Sequence, residues 1–98
     1  MITIGNKNHG TRGVYVGQPS PLGNPFPLGC EAERAQVIRA YEAWLAEQLL
    51  DPRSAVSIEI HRLAALARTQ DLCLVCWCAP KACHADIIKR TIAAINRG

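Results

Sequence analysis

The chain lacks most of the marks by which function is commonly read from sequence. No apolar stretch approaches the roughly 18–20 residues that cross a bilayer, which excludes a membrane-spanning helix. The first residues, Met1-Ile2-Thr3-Ile4-Gly5-Asn6, have neither the basic start nor the apolar run of a signal peptide, so the expected location is the cytoplasm. There is no run of basic residues. Lys and Arg are scattered from Lys7 to Arg97, so the net charge of +3 carries no phosphate-backbone footprint. Duplex nucleic acid is therefore not an expected partner, although weak attraction to small anions is. Neither G-x-x-x-x-G-K-[ST] nor G-x-G-x-x-G occurs, which excludes the common phosphate-binding loops. No internal repeat and no low-complexity segment is present, which excludes solenoids and disordered linkers.

What remains is the composition of one globular domain spanning residues 1–98. At 49% hydrophobic and 19% charged residues, it can build a core without help from a membrane. A domain of this size leaves a large share of its surface exposed, so its stability margin is thin. A homodimer or a bound metal would widen that margin. The five Cys are odd in number and follow no secretion signal, which argues against a disulfide framework.

The chain alternates short strand patterns with helical ones. Ile2, Thr3 and Ile4 alternate as a short strand, and Val14-Tyr15-Val16 forms a second. Residues 17–29 hold four Pro and three Gly, which forbids a regular element but stiffens the loop. A helix is predicted over residues 31 to about 50, with Val37, Ile38, Tyr41, Trp44, Leu45 and Leu49 as its apolar stripe. A second runs from about 54 to 69, with Pro52 suited to a first helical position and Val56, Ile60, Leu63 and Ala67 facing inward. Residues 71–77 are nearly all apolar, as in a strand buried on both faces, where Cys73 would be a small buried filler. The last helix is predicted from about 82 or 83 to 96, with Ile88, Ile92 and Ile95 inward and Gly98 as its stop. Two helices between the second and third strands allow a right-handed parallel crossover. The expected fold is α/β: about three mostly parallel strands with three main helices.

The nine residues Cys76-Trp77-Cys78-Ala79-Pro80-Lys81-Ala82-Cys83-His84 hold four of the chain's eight Cys and His. They lie where the third strand ends and the last helix begins, the edge at which open α/β sheets bind ligands. Three chemistries fit them. Cys76, Cys78, Cys83 and His84 match the ligand set of a structural zinc site, although the adjacent Cys83 and His84 point apart in most backbones. Alternatively, Cys83 at a helix start is placed to act as nucleophile or to help hold an anion. His84 would then be acid or base, and Asp86 would orient His84 or touch the ligand. Finally, free Cys is often simply buried, and His84 could cap the helix. The Pro-rich loop would form the facing wall. Arg12, Gln18, Ser20 and Asn24 would supply its polar groups, and Gly17 and Gly23 would admit close backbone approach.

Two segments, residues 14–26 (VYVGQPSPLGNPF) and 74–86 (LVCWCAPKACHAD), resemble the two signatures of the bacterial and phage domain-of-unknown-function family 4326. Arg34, Tyr41 and Trp44-Leu45 fit the helical section between them. Gln18 stands where that family more often has Arg. The resemblance implies a small α/β fold, a site at the two signatures and a phage or mobile-element association, but no established activity. It favours a ligand-binding or catalytic pocket between the two segments, and the leading expectation is a domain that binds a nucleotide-like or other anionic small ligand there, with enzymatic activity left open. A zinc-stabilised interaction module and a host-protein inhibitor remain the alternatives.

Overall fold

The computed structural model describes residues 1–6, 13–26, 31–77 and 83–98. Three strands, β1 (Ile2–Asn6), β2 (Val14–Tyr15) and β3 (Leu72–Cys76), form one parallel sheet in the order β1-β3-β2. The central place falls to β3, the strand whose sequence is apolar on both sides. Leu72, Leu74, Val75 and Cys76 are all buried, while Cys73, expected as a buried filler, is half-buried. The register pairs Ile4 and Val14 with Leu74 from opposite sides, and Tyr15 and Gly5 with Val75.

The first strand is longer than its alternation suggests. Gly5 and Asn6 have little intrinsic preference for extended structure, but pairing with Val75 and Cys76 holds them in the ladder. The Asn6 side chain then donates to the Trp77 carbonyl at 3.2 Å, tying the ends of β1 and β3. Conversely, β2 stops at Tyr15, one residue short of the expected strand. Val16 still donates its N–H to the Val75 carbonyl at 3.0 Å.

A 3-10 turn at Glu31–Glu33 leads into α1 (Arg34–Gln48), so the regular helix starts three residues later than predicted. Glu33 makes no side-chain cap bond, and the tighter turn takes the place of a capped start. The next helix, α2 (Ala55–Thr69), is capped by Ser54, whose hydroxyl accepts the Ser57 N–H. Pro52 lies in the preceding turn and not at the first helical position. Last comes α3 (His84–Arg97), stopped at Gly98.

The three helices and one face of the sheet share a single core. Tyr41 and Leu45 come from α1, Val56, Ile60 and Leu63 from α2, and Ile87, Ile88 and Ile92 from α3. They meet Leu72, Leu74 and Cys76, with Ile2, Ile4 and Val14 packed alongside. Ile38 of α1 packs against the core as expected, but it is only half-buried and also lines a surface cavity, and Val37 lines that cavity without joining the core. Among the described residues, no helix is long and apolar enough to cross a membrane.

Candidate functional site

The Pro-rich loop is held at the C-terminal edge of the sheet by its own turns and by one anchor. Ser20 donates its N–H to Gly17 O at 2.8 Å, and Gly23 N–H reaches Ser20 O at 2.9 Å. The Ser20 hydroxyl accepts from Leu22 N–H, and the Gln18 amide donates to Asn24 O at 3.2 Å. Leu22 is fully buried, and its carbonyl accepts the Tyr41 phenol at 2.8 Å. Burial first, and then the electrostatic effect of neighbouring Cys83, push the Tyr41 phenol well above its ordinary value, so Tyr41 keeps the proton it donates to Leu22 O. The loop is thus fastened to α1 and not laid loosely over the surface.

The opposite wall is the start of α3. Cys83 is its N-cap. The Cys83 sulfur accepts the Ala85 N–H at 3.4 Å, and the Asp86 carboxylate accepts the Cys83 N–H at 3.0 Å. This reciprocal arrangement satisfies amides that an uncapped helix leaves orphaned. The next residue, His84, turns back toward the loop, where Nε2 lies 2.7 Å from the Val16 carbonyl. A carbonyl can only accept, so Nε2 carries the proton. The His84 ring meets Tyr41 edge-on at 5.0 Å, which fixes its plane.

Between the walls lies a pocket of about 420 Å³, within the range of small-molecule sites. Gly17, Gln18, Asn24 and Phe26 line it from the loop, Trp77, Cys83 and His84 from the β3–α3 side. Tyr15, Arg34, Val37 and Ile38 complete it. Trp77 is half exposed, and its indole N–H donates to the Tyr15 hydroxyl at 2.9 Å. A methyl group at Gly17 would lie 2.4 Å from that hydroxyl, so the absence of a side chain there leaves room for the Tyr15 ring. Arg34 is held by the Glu31 carboxylate in a two-pronged pair, both bonds 2.8 Å. No carboxylate lies among the described lining residues.

The structure therefore brings together Gly17, Gln18, Asn24, Cys83 and His84 of the residues singled out by sequence. Three others are placed elsewhere. Ser20 spends its hydroxyl on the turn, and Gly23 packs against Gln18, where a side chain would collide with backbone. Asp86 is not among the pocket's lining residues, and its carboxylate accepts the Cys83 N–H of the helix cap while the His84 ring bonds Val16. Arg12 and Cys78 lie outside the described residues. As for a metal, no group of three or more candidate ligands converges among the described residues. Cys76 and Cys83 do meet, their sulfurs 3.2 Å apart, but His84 Nε2 is engaged with Val16.

Six lining residues are not among the candidates the sequence offers: Tyr15, Phe26, Arg34, Val37, Ile38 and Trp77. Tyr15 belongs to a strand pattern, Phe26 to the Pro-rich loop, Trp77 to the Cys/His segment without a role of its own, and Val37 and Ile38 to a helical apolar stripe. Arg34 was noticed only as part of a family pattern. The one available signal was position: Tyr15 ends β2 and Arg34 opens α1, at the strand and helix ends that flank a sheet edge.

Fold and site together define a small α/β domain with an open pocket at the C-terminal edge of a parallel sheet. The model of the family described as Domain of unknown function (DUF4326) matches residues 4–94, and the chain belongs to that family. No curated protein and no solved structure matches it.

Proposed function

We propose that this pocket binds a small anionic ligand bearing a planar ring, of the nucleotide class. One observation carries the reading: three aromatic side chains, Tyr15, Phe26 and Trp77, surround a pocket whose lining has a guanidinium and no carboxylate among the described residues. A flat heterocycle stacks on exposed aromatic faces, and a base on an aromatic ring is worth about 1–3 kcal/mol. An anionic group would compete with the Glu31 carboxylate for the Arg34 fork, whose charge and planar geometry suit either. Gln18 and Asn24 offer amide groups at the rim for orientation. The tethered loop and the capped helix make the walls stiff, so little ordering entropy is lost on binding. The reading is of a binding function, with Cys83 as the thiol available at the wall.

Calorimetric titration with a nucleoside monophosphate, the parent nucleoside and inorganic phosphate tests it. The monophosphate is expected to bind more tightly than either part. Trp77→Ala and Arg34→Gln should each weaken it about tenfold, in line with the loss of one stacked or one charge-assisted contact. The unfolding midpoints of both variants should stay close to that of the parent. Absence of binding by all four common monophosphates, or binding indifferent to both substitutions, rejects the proposal.

A further inference from the structure

Behind the pocket wall sits a second feature, independent of what the pocket holds. Cys76 ends the central strand and Cys83 caps α3, and their sulfurs lie 3.2 Å apart. That is closer than two sulfur atoms come in ordinary packing. Both residues are buried, at 1% and 3% exposure, but only Cys83 lines the pocket. Cys73, three residues before Cys76, points to the other face of β3, since side chains alternate along a strand. The geometry therefore distinguishes an outer sulfur, on the pocket wall, from an inner one, buried against it and outside the pocket's described lining.

We propose that Cys76 and Cys83 form an oxidisable dithiol site that takes hydrogen peroxide as its oxidant. The Cys83 sulfur attacks one peroxide oxygen and the O–O bond breaks. The leaving oxygen departs as water, carrying the thiol proton and leaving a sulfenic acid on Cys83. The Cys76 sulfur then attacks the Cys83 sulfur. The S–O bond breaks, and a second water leaves with the Cys76 proton. In sum, two thiols lose two protons and two electrons, the peroxide is reduced to two waters, and one disulfide forms. A disulfide needs its sulfurs about 2.05 Å apart, so the pair has only about an ångström to close. Closure joins the end of β3 to the cap of α3 and draws the Cys83 sulfur away from the pocket. A thiol reductant reverses it by exchange.

The test uses the full chain, reduced and freed of metal, then treated with stoichiometric hydrogen peroxide. Intact mass should fall by two hydrogen atoms per chain. After remaining thiols are blocked, trypsin should yield residues 69–81 linked to residues 82–89, and fragmentation should place the bond on Cys76 and Cys83. The link should form several-fold faster in native protein than in urea, and dithiothreitol should remove it. Cys73→Ser should leave it intact, and Cys83→Ser should abolish it. A bond to Cys73 or Cys78, over-oxidation of Cys83 without a link, or equal rates in native and unfolded protein would each overturn the assignment. The peptide map of the parent chain decides the matter even if a variant fails to fold, and none of these readouts depends on nucleotide binding.

Discussion

His84 shows how one side chain can serve the frame of a site rather than its chemistry. Its Nε2–H reaches across from α3 to the Val16 carbonyl, so it fastens the Pro-rich loop to the helix start. Removing it leaves a carbonyl next to the core without its donor. His84→Ala is expected to cost about 1–3 kcal/mol in urea unfolding. Unchanged stability would show that the bond is not made in solution. Tyr41 does the same work from α1, through Leu22. Its raised pKa sets a sign. Below about pH 10 the phenol is protonated in both folded and unfolded chains, and its contribution is constant. Above that pH the unfolded chain ionises while the folded one keeps its proton. Stability should then fall by up to about 1.4 kcal/mol per pH unit from this group. Tyr41→Phe should be less stable than the parent at neutral pH, by about 1 kcal/mol for the lost bond. The gap should narrow as pH rises past 10 in denaturant titrations, and a gap constant with pH would refute the assignment.

At the scale of elements, the decisive piece is the start of α3. A catalytic group of Cys83, His84 and Asp86 is one of the three readings the sequence allows. The structure divides them among three tasks: helix cap, loop tie and cap partner. Asp86 sits three residues after the cap, the spacing at which an acidic side chain reaches back to the cap N–H. Asp86→Ala should therefore lower stability by about 0.5–2 kcal/mol, the usual worth of a cap contact. It should leave the affinity for a nucleoside monophosphate unchanged. A loss of binding with normal stability would return Asp86 to the site. The helix of highest amphipathic contrast, α3, was the most legible, because isoleucines at helical spacing leave little choice of face. By contrast, α1 was legible as a helix but not in its orientation. Its apolar residues cover too wide an arc for all to be buried in the core: Ile38 packs at the core's edge and, with Val37, forms pocket wall.

For the whole molecule, the parallel sheet and the central position of β3 follow from one segment that is apolar on both sides, between helices long enough to return the chain. Such patterns are local, and hydrophobic burial acts on them wherever the chain goes. Thus the α/β class, the three helices, the three strands and the two segments flanking the site were set by residue order alone. Which polar groups face one another was not. Tyr15 and Trp77 are 62 positions apart, and His84 and Val16 are 68. Their meeting depends on sheet order, on register and on which way each loop folds back. Those are fixed only when the core closes, because a side chain's neighbours are chosen by the packing of elements and not by the sequence around it.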